Sequence, residues 1–411
     1  MKGGKAVGPD DIPAEVWKYL GDEGISFLQR LFNRIQSTGK MPDEWRCSIV
    51  VPIYKNKGDP QDCGNYRGIK LMSHTMKIRE RVIDARIRAE VEIAGEQFGF
   101  MTGRSTTDAI FALRQTIEKH RDGQVNLHCV FIDLEKAYDR VPREEVWNCL
   151  RLKGVKEAYI RIIKDMYDGS LTKVRCSDGL TEEFAVQVGV HQGSALSPLL
   201  FIIIMDCLTA EVIREAPWDM MFADDVVLCS RTREEAEEKL EDWRRVLEDR
   251  GLKVSRKKTE YVCTGGGEKV PGTIKIQEED VPRSKEFKYL GSTIQDDGGS
   301  DKEVERRIQA GWSSWHKVTG VLCDKRVPEK IKGRMYTTMV RPAMLYGMET
   351  VPVTKAQEKK MEVAEMKMLR FSLGLTRRDE VRNDTVRQRL GVAKFSEKLR
   401  EARLRWYGHV C

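Results

Sequence analysis

Two adjacent aspartates in the segment WDMMFADDVVLCS (218–230) are the residues whose chemistry first needs an explanation. Asp224 and Asp225 lie between the apolar runs MMF and VVL. Two carboxylates this close resist ionising together, and burial among apolar side chains makes their ionisation costlier still. The pattern alone leaves two interpretations open: an acidic turn in a hairpin, where aspartate is common, or a site that holds a cation.

A third carboxylate follows a second apolar segment. The run LHCVFIDL (127–134) predicts a strand that ends near Asp133. If this strand neighbours the one before Asp224, three carboxylates converge in one cleft and need divalent cations to neutralise them. Ligation by oxygen alone favours Mg²⁺ or Mn²⁺ over zinc, and two such ions can serve phosphoryl transfer. The ten cysteines form no CxxC pair and the six histidines no HExxH pattern, so a zinc site is not expected.

Two further segments could bind a ligand near such a centre. The segment GVHQGSALSP (189–198) is a turn of small residues with a glutamine amide, which could approach a flat ligand closely. It could equally be a connection between a strand and a helix. Arg67 in NYRGI is either a clamp for phosphate or an ordinary surface arginine.

The elements that must position these residues can be predicted from apolar spacing and turn residues. Strands are predicted at 47–54, at 127–134, on both sides of the Asp224–Asp225 turn, and at 286–294. Helices are predicted at 14–20, 25–39, near 72–93, near 106–120, over 143–154 and 158–169, after Ser197, and over 233–251. Residues 55–68 are predicted to form a long loop and 295–302 a linker, beyond which the chain is mostly helical. The pattern indicates an α+β middle and an α-helical end.

Composition bounds the class of protein. A chain of 411 residues needs two or three subdomains, and 33% charged residues with a mean hydropathy of −0.49 indicate a water-soluble globular protein. We see no membrane-spanning run and no secretory signal, and we expect free thiols in a reducing, intracellular compartment, nuclear or cytoplasmic. Residues 301–411 carry 25 Lys and Arg against 14 Asp and Glu. This basic end indicates either a polyanionic partner or a solvated helical surface.

Eight segments, taken in order over roughly residues 5–295, resemble the reverse transcriptases of non-LTR (LINE-type) retrotransposons. They are KAVGPDDIPAEVWK, IVVPIYKNKGD with NYRGIKLMS, EQFGFMTGRSTTDAIFAL, FIDLEKAYDRV, GVHQGSALSPLLF, FADDVVL, GLKVSRKKTEYV and KYLGSTI. The resemblance implies an α+β, right-hand polymerase fold. Its fingers would span residues 1–125. Its palm, residues 126–299, would be an antiparallel sheet with helices on one face. Residues 300–411 would form a basic helical thumb and its extension.

The same resemblance implies roles for individual residues. Metal ions, two Mg²⁺ with Mn²⁺ as a possible substitute, would be held by Asp133, Asp224, Asp225 and the backbone carbonyl of Leu134. Nucleotide-binding positions would be Lys55, Arg67, Tyr138, Gln192 and Gly193. The ring of Tyr138 would exclude a ribose 2′-OH and so favour dNTPs. Lys258 either protonates the leaving pyrophosphate as a general acid or is a surface lysine.

The expected activity is therefore RNA-directed DNA polymerisation, the two-metal transfer of dNTPs onto a primer 3′-OH. The partners would be an RNA template, a DNA primer and dNTPs, with no membrane involved. We see no endonuclease domain before the entry motif and no zinc knuckle after the thumb, so a fragment of a longer element or a retained remnant is expected. The alternatives are an inactive or domesticated nucleic-acid-binding remnant, and a template-directed RNA polymerase, against which Tyr138 argues.

Three positions differ from the pattern of this family. Asp11 stands where glycine is usual, which matters if the backbone there needs a positive φ. Arg79 replaces an aromatic residue, which could leave a packing gap, and His191 replaces an arginine, which could cost a phosphate contact. Near the end of the chain, Trp406 in RWYGHV could stack on nucleic acid or pack between helices.

Overall fold

The computed structural model of the chain describes residues 3–56, 58–265 and 272–410, so that Lys57 of the predicted loop lies outside the described residues. The helices are α1 (Ala14–Tyr19), α2 (Gly21–Thr38), α3 (His74–Arg88), α4 (Thr106–Asp122), α5 (Ala137–Arg140), α6 (Arg143–Leu152), α7 (Glu157–Tyr167), α8 (Ser197–Thr209), α9 (Arg233–Asp249), α10 (Asp301–Lys317), α11 (Thr319–Leu322), α12 (Glu329–Met335), α13 (Arg341–Leu345), α14 (Lys355–Leu373), α15 (Asn383–Leu390) and α16 (Phe395–Val410). The strands are β1 (Cys47–Tyr54), β2 (Tyr66–Leu71), β3 (Leu127–Ile132), β4 (Leu171–Cys176), β5 (Gly179–Leu180), β6 (Phe184–Ala185), β7 (Asp219–Phe222), β8 (Asp225–Ser230), β9 (Glu260–Thr264), β10 (Thr273–Ile276), β11 (Glu279–Pro282), β12 (Glu286–Tyr289) and β13 (Ser292–Gln295).

The chain divides into two compact units, each assembled from separate stretches of sequence. The first unit comprises Met1–Arg104, Ile132–Val227 and Glu238–Thr259. The second comprises Ser105–Phe131, Leu228–Glu237 and Glu260–Cys411. The α+β class predicted from the sequence is confirmed. No helix among the described residues is both long enough and apolar enough to cross a bilayer.

Two larger sheets organise the strands. In one, β2 pairs antiparallel with β1, β1 pairs parallel with β4, and β5 and β6 both pair antiparallel with β4. In the other, the strand order is β7-β8-β3-β9, with β3 and β9 antiparallel. All six residues of β3 are buried, which is why the segment reads as one continuous apolar run rather than an alternating one.

Helix α8 supplies the apolar core of the first unit. Its segment from Leu199 to Met205 is buried on every side, so no polar face interrupts the sequence. Within the second unit, α10 and α12 to α16 form a separate core that contains Tyr336, Met344, Met368 and Phe395. Residues 301–411 therefore have a packed helical core, as the sequence predicted, and Lys332 and Arg341 are buried within this part of the chain.

Most of the predicted elements are present, but two assignments are wrong. Residues 66–68 are not loop: they begin β2, which pairs with β1 from Tyr66 opposite Tyr54 to Leu71 opposite Ile49. This strand is hard to predict from the sequence, because it contains a glycine and charged residues, including the exposed Arg67. Residues 286–294 are not one strand but the hairpin β12–β13, which turns at Leu290 and Gly291, both with positive φ.

Candidate active site

The two adjacent aspartates lie at a tight turn between β7 and β8. Only Ala223 and Asp224 separate the last residue of β7 from Asp225, the first residue of β8. Ala223 has a φ of 59°, a left-handed conformation that costs a non-glycine residue about 1 kcal/mol. The buried side chain of Gln97 compensates, because its Oε1 accepts a hydrogen bond of 3.0 Å from the Ala223 N–H. The turn is thus held from outside the hairpin, and it presents both carboxylates.

Asp133 follows the end of β3 and is fixed by backbone pairing with residues 253–255. The Ser255 N–H donates to the Asp133 carbonyl, and the Glu135 N–H donates to the Lys253 carbonyl, both at 2.8 Å. These bonds flank the antiparallel bridge between Leu134 and Val254. In that pattern the carbonyl of Leu134 faces away from Val254, so it remains available on the side of the chain that carries no ladder bond.

Lys258 lies beside Asp133. Its Nζ donates a hydrogen bond of 2.9 Å to the Asp133 carboxylate. The lysine side chain is 63% exposed and the aspartate 38%, so solvent screens the ion pair and its net contribution to stability is small. The contact places an ammonium group, the proton donor implied by the family resemblance, against one of the three carboxylates.

Neighbouring acids contribute to the ionisation behaviour of Asp224 and Asp225. Burial, then the charges of Asp224 and Asp133, raises the pKa of Asp225 to about 6. Asp225 is nevertheless exposed to water. The surrounding protein therefore partly desolvates its carboxylate and does not cover it. Burial likewise raises the pKa of Asp224, with Asp133 adding to the rise while Arg67 and Lys258 oppose it. The three acids, Arg67 and Lys258 therefore share one electrostatic environment.

The donor set fits hard divalent cations in type. It consists of aspartate oxygens and one free-facing carbonyl, which are the ligands that Mg²⁺ prefers, and the charges of neighbouring aspartates add to burial in raising the pKa values of Asp224 and Asp225. Among the described residues, however, no three His, Cys, Asp or Glu side chains lie in an arrangement that could hold a metal ion. The Lys258 ammonium contacts Asp133 instead.

Tyr138 lies five residues after Asp133, in the first turn of α5. Its ring stacks on the buried ring of Phe201 from α8, with a centroid distance of 4.5 Å and an interplanar angle of 14°. Its carbonyl accepts a 2.8 Å hydrogen bond from the Val190 N–H. Burial, with Asp224 as the lesser cause, raises the pKa of the Tyr138 hydroxyl. The ring is thus immobilised within electrostatic reach of the carboxylates.

The loop with Gln192 and Gly193 is packed against β2. The Lys70 N–H donates to the Gln192 carbonyl at 2.9 Å. Gly193 has a φ of 112°, and a Cβ at this position would lie 2.5 Å from the Lys70 carbonyl oxygen. Only glycine fits here. The backbone of this loop is therefore held in a fixed position against the backbone of β2.

A buried glutamate holds the next part of the same loop. Glu80 of α3 accepts hydrogen bonds of 2.7 Å from the Ser194 Oγ and from the Ala195 N–H. Ser194 in turn accepts from the N–H groups of Leu196 and Ser197, where α8 begins. The predicted connection between a turn and a helix is therefore present, and Glu80 and Gln97 are positioning residues that the sequence did not reveal.

The two predicted phosphate-binding cations have different environments. Arg67 is exposed on β2, opposite Ile53 of β1, and its charge reaches Asp224. Lys55 instead donates from Nζ to the carbonyl of Gly64 at 2.9 Å, within the loop that joins β1 to β2. Arg67 therefore lies in the electrostatic environment of the carboxylates, whereas the Lys55 ammonium bonds to its own hairpin.

The three departures from the family pattern have structural consequences. Asp11 adopts a φ of 50°, so the position does require a positive φ. Arg79 fills the expected gap: it is 3% exposed, and its guanidinium packs over the ring of Phe32. The burial is costly, because its Nε and Nη2 have no hydrogen-bond partner among the described residues. His191 is buried against the ring of Tyr167 and does not face solvent.

Near the end of the chain, Trp406 packs between helices. Its indole meets the ring of Phe111 from α4 edge-on at 5.5 Å. Three residues further on, the His409 Nε2 lies 3.0 Å from the Asp108 carboxylate at the N-terminus of α4. Of the two interpretations of RWYGHV, the structure favours helix packing for Trp406, while Tyr407 is exposed.

Comparisons with known proteins agree with the motifs. The model of the family described as Reverse transcriptase (RNA-dependent DNA polymerase) matches residues 53–294. The chain therefore belongs to the reverse transcriptase family. It is related to the reverse transcriptases of non-LTR retrotransposons, as the resemblance in the sequence predicted.

Among the relatives is the probable RNA-directed DNA polymerase from transposon X-element of Drosophila melanogaster, 28% identical over 70% of this chain and 33% of that protein. The corresponding protein from transposon BS is 26% identical over 96% of this chain and 47% of its own length. The chain thus spans a third to about half of the length of these two relatives. A solved structure of apo telomerase from Candida tropicalis is similar with a TM-score of 0.44 at 14% identity, over 66% of this chain and 59% of that one.

Proposed function

We propose that the chain catalyses RNA-directed DNA synthesis, adding dNTPs to the 3′-OH of a primer paired with an RNA template. The observation that carries this proposal is the set of three carboxylates, Asp133 at the end of β3 with Asp224 and Asp225 at the β7–β8 turn, in which the charge of Asp133 helps to raise the pKa values of the other two. Residues 1–125, 126–299 and 300–411 would be the fingers, palm and thumb of a right-hand polymerase.

The carboxylates would hold two Mg²⁺ ions, with Mn²⁺ as a substitute, and the Leu134 carbonyl would complete their oxygen ligands. When bound, such ions activate the attacking oxygen and stabilise the leaving one in nucleotidyl transfer. The chain's own contribution would be to hold these ligands on rigid backbone: Asp133 through its ladder bonds and Asp224 through the Gln97-supported turn.

Lys258 would serve as the general acid for the leaving pyrophosphate. Its ammonium already lies 2.9 Å from the Asp133 carboxylate, and the exposure of its side chain leaves it free to reorient. Arg67, exposed and within electrostatic reach of Asp224, would bind the triphosphate. Lys55 would join it only by giving up its bond to the Gly64 carbonyl.

Tyr138 would select deoxynucleotides. Stacking on Phe201 prevents the ring from moving aside, so a ribose 2′-OH would meet a fixed obstacle. Gln192 and Gly193 would line the pocket for the incoming nucleotide and the template base. The close approach of Gly193 to Lys70 would set the position of that wall.

Primer extension on an RNA template tests the proposal. With Mg²⁺ or Mn²⁺, we expect the chain to extend the primer with dNTPs in preference to NTPs. Asp133→Asn and Asp224→Asn should each remove extension while duplex binding persists, because they remove a ligand and leave the backbone intact. Extension with NTPs alone would identify a template-directed RNA polymerase, and duplex binding without any extension would identify a nucleic-acid-binding remnant.

A separate pair of variants tests the gate. Tyr138→Ala should lower the preference for dNTPs over NTPs by about 10- to 200-fold, the range by which a pocket rejects a substrate on shape. Tyr138→Phe, which keeps the ring and its stacking on Phe201, is the matched control and should retain the preference. Equal preference in the two variants would contradict the assignment of Tyr138.

A further inference from the structure

A strongly basic feature lies in the second unit, among α14, α15 and the start of α16. It is a cavity of about 460 Å³, here called the basic cavity. Five cationic side chains line it, which are Lys359, Lys367, Arg370, Arg387 and Lys394. Two carboxylates, Glu362 and Asp384, also line it. Cationic side chains therefore outnumber carboxylates in the lining, although the Asp384 carboxylate lies 3.9 Å from the Arg387 Nη1 and partly offsets its charge.

The two arginines are held in place by the fold. Arg370 is half-buried and donates from Nη2 to the Val381 carbonyl at 2.6 Å and to the Asn383 Oδ1 at 3.0 Å. Arg387 is also half-buried, with its Nη2 3.5 Å from the buried carboxylate of Glu365. That carboxylate is shared with Arg341 at 2.8 Å, so it only partly compensates Arg387.

The three lysines form an exposed, unpaired rim. Lys359, Lys367 and Lys394 are exposed, and none of them makes an ion pair or a side-chain hydrogen bond with another described residue. Glu362, one of the two carboxylates in the lining, already accepts a 2.8 Å hydrogen bond from the Ser396 Oγ. Three exposed ammonium groups therefore line the same cavity as two guanidinium groups that the fold holds in place.

This arrangement fits the oxygens of a phosphate group. Guanidinium groups offer planar donors matched to phosphate, and ammonium groups add charge that adapts to its position. The described residues that line the cavity include no aromatic side chain, so there is no platform on which a base could stack. The volume lies in the range of small-ligand sites, about 300–1,000 Å³, and a concave site of this size receives one phosphate-bearing unit rather than the side of a duplex.

We propose that the basic cavity binds a phosphodiester of a single nucleic-acid strand, in addition to the template–primer duplex on which the carboxylate site would act. The proposal rests on the proposed function, because that function brings the chain into contact with long single-stranded templates. The cavity would anchor the backbone of a strand that is not part of the copied duplex. Contacts of this kind are salt-sensitive and independent of sequence.

The test compares two triple variants that remove the same charge. In the cavity variant, the substitutions are Lys359→Gln, Lys367→Gln and Lys394→Gln. In the matched control, they are Lys317→Gln, Lys325→Gln and Lys355→Gln, at exposed lysines of the same unit that do not line the cavity. Thermal unfolding followed by circular dichroism establishes that both variants fold.

Binding is measured by fluorescence anisotropy with labelled oligouridylate and oligothymidylate of equal length, over a series of KCl concentrations. Loss of three phosphate contacts should lower the affinity of the cavity variant by about 10- to 100-fold near 0.1 M salt and reduce the slope of log K against log salt by about 2. The control should lose markedly less. Tighter binding of either oligonucleotide by the parent identifies the strand as RNA or DNA.

Three results would overturn the proposal. Equal losses in the two variants would mean that only overall charge matters. Displacement of the oligonucleotide by polyglutamate at equal charge concentration would make the cavity a site for acidic peptides. A proportional loss of primer extension at saturating template–primer would place the cavity in the duplex-binding surface. Failure of the proposed function is distinguishable, because Asp224→Asn should lose extension and keep oligonucleotide binding.

Discussion

Removing the charge of Asp225 should stabilise the fold while it abolishes nucleotide addition. In the cation-free protein, burial and then the charges of Asp224 and Asp133 raise the pKa of Asp225 to about 6. The ionised carboxylate is therefore less favourable in the folded chain than in the unfolded one. Asp225→Asn retains the shape of the side chain and removes the charge, so it should relieve this cost.

The magnitude follows from the pKa. A rise from 3.8 to about 6 corresponds to about 3 kcal/mol for a carboxylate fully withdrawn from water. Asp225 is exposed, and solvent screening reduces the expected effect to about 1 kcal/mol. Because the folded state holds the Asp225 proton more tightly than the unfolded state, stability declines as the pH rises from about 4 to about 6. The decline is complete above pH 6.

The assay is urea unfolding in EDTA over a series of pH values. We expect Asp225→Asn to unfold with a free energy about 1 kcal/mol above that of the parent at pH 7.5, and the two curves to converge as the pH approaches 4. Glu92→Gln, which removes one exposed carboxylate of the first unit, is the control and should change little. Adding Mg²⁺ should stabilise the parent more than the variant.

A lower stability of Asp225→Asn at pH 7.5 would refute this reasoning. So would a gain that persists unchanged near pH 4, since the carboxyl is then neutral in both proteins. Either result would mean that Asp225 is held by favourable contacts in the cation-free state and is not strained by its neighbours.

Three further substitutions test how the site is supported. Gly193→Ala should reduce primer extension at least about tenfold and raise the KM for dNTP, because its Cβ would meet the Lys70 carbonyl at 2.5 Å; unchanged kinetics would show that the loop can shift. Lys239→Met should lower the free energy of unfolding by about 3–5 kcal/mol, since it leaves the buried Asp219 carboxylate without the ammonium group that lies 2.6 Å away. Urea unfolding measures the loss, and a loss under about 1 kcal/mol would contradict this prediction. Arg79→Leu should raise stability by about 1–2 kcal/mol, as it removes two buried guanidinium nitrogens without partners and loses one hydrogen bond, from Nη1 to the Phe32 carbonyl; a lower melting temperature would show that the contacts with Phe32 outweigh them.

Sequence reasoning succeeded where local patterns decide the structure. The β7–β8 hairpin was predictable because two apolar runs flank a short acidic turn, and α8 because thirteen residues of nearly continuous apolar character follow a turn. It failed at β2, whose exposed Arg67 and internal glycine break the alternation expected of a strand. Pairing with β1 makes that segment a strand, and pairing is a non-local property.

The candidate site divides in the same way. Residue types pointed to the carboxylates and to the loop around Gln192, and the resemblance to non-LTR reverse transcriptases added the predicted roles of Tyr138, Gln192 and Gly193. Which groups hold them could not be predicted. Gln97 accepts its hydrogen bond from Ala223, 126 residues further along the chain. Glu80 accepts its hydrogen bond from Ser194, 114 residues further along. Nothing in the segments around Gln97 or Glu80 distinguishes these side chains from ordinary polar residues.

The site concentrates locally unfavourable features that only buried, distant partners stabilise. Ala223 adopts a left-handed backbone, two adjacent carboxylates share a partly buried turn, and Gly193 presses against a carbonyl. Each feature would relax in an isolated segment, since none is favoured by its own sequence. Gln97 and Glu80 are almost fully buried, so they cannot leave without exposing the core around them. The rigidity of the surrounding fold, and not local preference, therefore determines where the carboxylates stand.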